Sequence, residues 1–366
     1  MSRRTPIVAF VLGFPRLLAR GLTHRLLSQH EDSLVQVLVA PEALEAFDAF
    51  VATLPPANAA RVVRRVGRAF DTDLGLTGAD AADLLARTTH VFHAAQLQTG
   101  PRAGLRRHNV DALGRIVELS LSMPRLERLC VFSTAFVSGT RTGLILEDDL
   151  ECGQRFRSPW ERSLFDAERL LRRMMALLPI SVLRPASVIG HSRTGEAESL
   201  DEGPSYLMRL LVTLPAEVPI FLPGSGVVPL NIVPIDYVVR AACVLAMKPE
   251  AVSRTFHLTD PNPLSARRAF ELLSDVARRR GPWTSELGAS LVRGLLRVPG
   301  LDRLAPQQVN LFESLDQRVE YDCAGTLDLL ADSGIVCPPF EAYADALVAW
   351  IATYERAQRP ADSARA

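Results

Sequence analysis

Short apolar runs alternate with apolar stripes of helical spacing through the first half of the chain. Residues 7–12 (IVAFVL), 35–39, 61–66, 90–93, 128–133 and 180–184 read as strands. Between them, residues 15–28, 42–53, 79–87, 109–122 and 160–177 carry helical periodicity. That alternation predicts an α/β fold with a doubly wound parallel sheet. After Gly190 the pattern changes. Residues 191–229 are rich in Gly and Pro, with a helical piece near 205–213. Residues 231–234 and 255–259 read as strands returning to the sheet, separated by a helix over 237–247. A main domain over 1–190, completed by about 229–260, is therefore expected. A smaller, mainly helical substrate or lid region would take 191–228 and 261–356, leaving 357–366 as a disordered tail. Ligands of such sheets bind beyond the C-terminal ends of the strands, so the site is expected between sheet and lid.

Composition narrows the function classes. At 366 residues the chain is long enough to bury a sizeable core. Its formal net charge is +0, which gives no field toward nucleic acid or an anionic membrane. Five cysteines (Cys130, Cys152, Cys243, Cys323, Cys337) lack paired spacing, a pattern of a reduced cytoplasmic protein with neither disulfides nor a metal site. The first apolar run is too short for a secretory core, and no run approaches the roughly 20 residues of a membrane span. Residues 284–304 alternate apolar and basic groups and read as an amphipathic helix over the core or a substrate tunnel.

Five landmarks follow one another in a fixed order. They are Phe92-His93-Ala94-Ala95 with Asn109-Val110, then residues 132–139 (FSTAFVSG), residues 184–190 (RPASVIG), residues 233–238 (VPIDYV) and Phe256-His257-Leu258-Thr259. In that order they resemble the extended short-chain dehydrogenase/reductases, and within them the fatty acyl-CoA reductase and carrier-protein thioester reductase branch. The resemblance runs from Ile7 to about Tyr354 and implies a Rossmann-type domain that binds NAD(P). It also implies an active-site Tyr, three residues, then Lys, with the phenol as proton donor. The matching frame, residues 158–168, holds Trp160 and Leu164 at those places. Lys248 is the only lysine, and none of the tyrosines (Tyr206, Tyr237, Tyr321, Tyr343, Tyr354) has a lysine four residues on. An indole cannot release a proton at neutral pH, and leucine supplies no charge to lower a neighbour's pKa. Loss of a general acid alone costs a factor of about 10²–10⁴ in rate.

The cofactor positions implied by the resemblance are altered as well. A Gly-x-x-Gly-x-x-Gly turn lets backbone approach the pyrophosphate at a helix N-terminus. Here Gly13 matches the middle glycine, while Phe10 and Arg16 stand at the outer two, Phe10 in the tight turn and Arg16 at the helix–strand contact. Ala40 replaces an arginine for the 2′-phosphate, and Arg68 replaces an aspartate for the adenine amino group; Ala94 lies at the matching place after the fourth strand. Arg16 and Arg68 are read as filling the vacant pocket. Ser133 and Thr134 stand where the family holds a substrate carbonyl, and Asn109 where it anchors a relay water; packing and capping account equally for all three. His93 is read as a packed residue, Glu147, Asp148 and Asp149 as a solvated loop, and Cys130 as core.

Three functions follow as expectations. The first is a degenerate reductase-like protein that has lost NAD(P)-dependent reduction, carries no cofactor, and binds an acyl-type small molecule or a related enzyme. The second is an atypical NAD(P)H-dependent reductase of an acyl thioester, aldehyde or ketone. The third is a cofactor-independent isomerase, cyclase or lyase using the same cleft. The resemblance further implies a homodimer through the helices over 109–122 and 160–177.

Overall fold

The computed structural model describes residues 6–201, 203–214, 221–222, 226–279, 283–284 and 318–362. Seven strands make the central sheet: β1 (Val8–Leu12), β2 (Leu34–Val39), β3 (Val62–Val66), β4 (His90–His93), β5 (Arg128–Phe132), β6 (Ile180–Pro185) and β7 (Arg254–Leu258). Their order is β7-β6-β5-β4-β1-β2-β3, and every neighbouring pair is parallel. Strand order reverses between β1 and β4, which puts the ligand crevice of this fold beyond Leu12 and His93.

Alternation along the strands builds two cores. Ala9 and Val11 of β1, with Phe92 and Cys130, face the helices α1 (Leu17–Gln29), α2 (Leu44–Ala52) and α7 (Ile235–Met247). Phe10 and Leu12, with Val91, Leu129 and Val131, face the other layer. That layer is α3 (Gly78–Arg87), α4 (Ala112–Leu121) and α5 (Pro159–Met174). β1, β4 and β5 are buried on both sides, which suits the continuous apolar run of β1, while β4 and β5 also bury His90, His93 and Arg128. A separate apolar cluster joins α6 (Gly203–Thr213), α8 (Ala266–Val276) and α9 (Ala344–Asp362) through Met208, Phe270 and Leu347.

The doubly wound sheet matches expectation, with two differences of detail. The 231–234 strand does not return to the main sheet; Ile232–Val233 pairs with Ser187–Val188 in a separate two-stranded sheet. Pro234 follows at once and cannot donate to a ladder, so the strand ends after two residues. Helix α9 continues to Asp362, through residues whose composition reads as a tail. The amphipathic stretch 284–304 lies outside the described residues except for its first position. Among the described residues no helix is long and apolar enough to cross a membrane.

Candidate functional site

The turn after β1 is built differently from a glycine-rich loop. Phe10 is not in the turn: it lies within β1, fully buried against Leu38, Leu84 and Val91. Lacking a glycine at that place, the strand runs on through Leu12 and the turn begins only at Gly13. Gly13 has φ +117°, and a Cβ there would come within 2.7 Å of Ala94 O, so the chain ends of β1 and β4 meet backbone to backbone. Phe14 folds down onto α2, with its ring centroid 5.5 Å from Phe47 and 5.8 Å from Phe50. Arg16 is the N-cap residue of α1 and gives it no side-chain cap. Instead, the Leu17 N–H donates to the Glu198 carboxylate at 2.5 Å, and Arg20 pairs with Glu196 at 2.8 Å. A helix N-terminus favours an anion, and a carboxylate of this chain supplies it.

The two other altered positions stand apart from this turn. Ala40 precedes a short 3-10 turn, Pro41–Ala43, that leads into α2. Arg68 pairs with Glu42 at 2.6 Å across a partly exposed surface. It therefore does not fill a pocket; an exposed guanidinium finds its nearest carboxylate. Glu42 is held below the ordinary carboxylate range, first by its backbone hydrogen bond and then by Arg68.

At the end of β5 the expected hydroxyls are present and occupied. The Ser133 hydroxyl donates to Glu168, and its backbone N–H donates to Leu183 O at 2.7 Å. Thr134 Oγ1 accepts the Phe136 N–H at 3.3 Å, capping the 3-10 turn Ala135–Ser138. Asn109 sits in a π-helical stretch, Arg107–Asp111, just before α4. Its Nδ2 donates to Leu97 O at 2.8 Å and Ser163 Oγ at 2.9 Å, and its Oδ1 accepts the Leu97 N–H at 2.8 Å. Both N–H groups are thus spent on bracing the 97 loop and α5.

Helix α5 forms where the sequence marks it. Ser158 caps it by accepting the Glu161 N–H at 3.1 Å, and Pro159 takes the first helical position. Leu164 is buried with Val137, Leu150 and Phe165, and Phe156 and Trp160 pack on this cluster. The Trp160 indole N–H is buried without an acceptor, its ring system 6.3 Å from Phe136. Lys248 is at the far edge of the sheet, where its carbonyl accepts from Arg128, the first residue of β5, while Ser133 follows the last. Tyr321 brings a phenol to 3.4 Å from Ser138 Oγ, and burial raises its pKa, which makes it a weaker acid.

Between Ser133 and α5 remains a cavity of about 10 Å³, the room of a single water. His93, Gln96, Asn109, Ser133, Leu164 and Glu168 are among its walls. His93 is fully buried, neither ring nitrogen meets a partner, and burial pushes its pKa down to about 4, so the ring is neutral at pH 7.

Behind the cavity lies a buried charge network that local sequence does not announce. Glu168 and Arg184 are both about 1% exposed and pair at 2.7 Å, with further bonds from Arg184 Nε at 3.0 and 3.1 Å. Arg184 also donates to Glu147 O at 3.2 Å and Asp149 O at 2.9 Å. Glu147 is not a solvated loop residue: its carboxylate is buried and accepts from His257 N–H at 2.9 Å and from Thr326. Burial raises its pKa. The signal for Glu168 is its place one turn beyond Leu164 on the same face of α5. Glu198 has no local signal, since its partner Leu17 is 181 residues away.

Comparison with known proteins fits this architecture. The family model described as male sterility protein matches residues 13–242. The terminal R domain from the myxalamid PKS-NRPS biosynthetic pathway superposes with a TM-score of 0.75 at 22% identity, covering 97% of this chain and 91% of that one. UDP-glucuronic acid 4-epimerase from Bacillus cereus, solved in complex with NAD, gives a TM-score of 0.69 at 15% identity, covering 96% and 98%. The aldehyde reductase lnbA of Aspergillus flavus is 30% identical over 161 residues, 41% of this chain and 15% of its own length. A non-canonical nonribosomal peptide synthetase, hkm10 of Aspergillus hancockii, is 24% identical over 296 residues, 74% of this chain and 28% of its own. The chain spans less than a third of the length of these curated relatives. With the seven-stranded parallel sheet, the match over residues 13–242 places the chain in the male sterility protein family, on the extended short-chain dehydrogenase/reductase fold.

Proposed function

We propose that this chain has given up NAD(P)-dependent reduction and serves as a binding or partner protein, for an acyl-type ligand or a related enzyme. The observation that carries this reading is Leu164, buried in an apolar cluster beside Ser133, with the sole lysine at the opposite edge of the sheet. No ammonium lies at the place where one would lower a donor's pKa, and the donor's own place is Trp160. The turn after β1 supports the same reading. A dinucleotide needs close backbone approach over three glycines and a free helix N-terminus. Here one glycine remains, Phe14 packs onto α2, and Glu198 sets a negative charge at the first turn of α1. These residues do not fit a pyrophosphate. A second copy docking on α4 and α5 is one partner in keeping with this reading. Five unpaired thiols support work in a reducing compartment such as the cytoplasm.

Titration of the purified chain with NADPH and NADH tests the proposal, read by thermal unfolding and nicotinamide fluorescence. We expect no shift at millimolar cofactor. Saturable micromolar binding, worth about 2.7 kcal/mol at a hundredfold excess over Kd, together with turnover of an acyl thioester, aldehyde or ketone, overturns it.

A reductase reading is favoured by one finding, that two curated relatives in Aspergillus flavus bear the name aldehyde reductase. It requires Ser133 or a water to deliver the proton. Activity that survives Ser133→Ala in full removes Ser133 from that role.

A further inference from the structure

The segment from Gly190 to Leu200 crosses from the end of the 187–188 strand to the first turn of α1 and is fastened along its length. Gly190 O accepts the Ile235 N–H at 2.7 Å, and Asp236 takes both the Ser192 N–H and hydroxyl at 2.8 Å. His191 and Glu196 close a small loop, the His191 N–H donating to Glu196 O at 2.9 Å. Gly195 has φ +72° and lies so close to the Ala346 backbone of α9 that a side chain would collide with it. The far end reaches α1 twice, through Glu196 to Arg20 and through Glu198 to the Leu17 N–H.

We infer that this segment is a strap whose Glu198 carboxylate acts as an internal anion, closing the α1 N-terminus to phosphate-bearing ligands. Two independent observations meet here. The first turn of α1 contains no acidic residue, and its N-cap residue Arg16 offers no side-chain cap, so its donors are left for an outside acceptor. A carboxylate from a segment pinned at α7 and α9 is what arrives. Gly13 beside it still brings the end of β1 into backbone contact with Ala94. The inference rests on the reading that cofactor binding is lost, and it names the element that now fills the site.

The test is isothermal titration of the whole chain with inorganic pyrophosphate, comparing wild type with Glu198→Ala. Removing a negative charge from the first turn should raise pyrophosphate affinity by at least about tenfold, while the thermal midpoint falls because α1 loses its cap. Glu198→Gln, which keeps an acceptor for the Leu17 N–H but no charge, should gain part of that affinity with little loss of stability. It stands in if the alanine variant does not fold. Equal affinity in wild type and variants, or no binding in any of them, overturns the strap and leaves Glu198 as a cap only. Tight NADPH binding by the wild type would instead overturn the loss of cofactor binding, so the two failures are distinguishable.

Discussion

The Ser133 hydroxyl donates to the carboxylate of Glu168, and that carboxylate is held in turn by the guanidinium of Arg184. The serine that the family directs at a substrate carbonyl is here turned inward, onto a buried ion pair. Breaking such a pair leaves an uncompensated buried charge. Glu168→Ala should therefore cost about 3–5 kcal/mol, read from denaturant unfolding. Ser133→Ala removes one neutral donor from a carboxylate that keeps Arg184, and should cost only about 1–2 kcal/mol. A serine variant as damaging as the glutamate variant would mean that the hydroxyl, not the ion pair, organises this region.

Restoring the family pair by substitution should fail for a packing reason. Leu164 packs with Val137, Leu150 and Phe165, and the Glu168 carboxylate one turn on is already paired with Arg184. Leu164→Lys places an ammonium in that cluster and should destabilise the chain by at least about 3 kcal/mol. The double variant Trp160→Tyr, Leu164→Lys should show no NADPH consumption with aldehyde or thioester substrates. Chemical denaturation and a nicotinamide absorbance assay read the two outcomes. A stable double variant that turns over substrate would show that the missing pair is the sole lesion.

The parallel, doubly wound sheet is legible in the sequence, because its strands are short, mostly apolar runs separated by helices of clear periodicity. The loss of Tyr and Lys is legible too, since one lysine cannot be misaligned. What escapes local reading is set by contacts over long distances. Glu147 looks solvated in its loop and is buried by Thr326 and His257, which arrive from 179 and 110 residues away. Phe10 falls in a turn by motif and in a strand in fact, because a strand without its first glycine continues to Gly13. Glu198 carries no pattern of its own, and its meaning appears only when the strap crosses to α1.

Acid sensitivity follows from the buried histidines. Burial first of all pushes His90 and His93 down to about 4 and His257 down to about 3. Each is neutral in the fold and takes up a proton on unfolding below its ordinary value of 6.5. The unfolded chain thus binds more protons between pH 6.5 and about 4, and stability falls as the pH drops through that window. Each histidine contributes up to about 1.4 kcal/mol per pH unit. Glu147 and Asp260, raised by burial, bind protons in the fold and oppose part of this fall. His93→Leu should therefore flatten the profile by about one histidine's share, measured as unfolding free energy from pH 7 to 4. An unchanged slope would show that His93 finds a proton-stabilising partner in the fold.

Gly13 and Gly78 give the sharpest paired test of the turn after β1. At Gly13 a side chain meets both a φ of +117° and the Ala94 carbonyl within 2.7 Å. Gly13→Ala should cost about 2–4 kcal/mol from backbone strain and collision together. Gly78 opens α3, and nothing lies within 4 Å of the place a Cβ would take. There the added methyl group meets no neighbour, while the unfolded chain loses freedom, so Gly78→Ala should stabilise by about 0.4–1 kcal/mol. Because Gly13 joins the end of β1 to the start of α1, its variant should also loosen the first turn of that helix, seen as faster amide exchange at Leu17 and Leu18. Slow exchange there in a destabilised Gly13→Ala would mean that Glu198 alone holds the helix start, and that strain at the Gly13–Ala94 contact does not reach it.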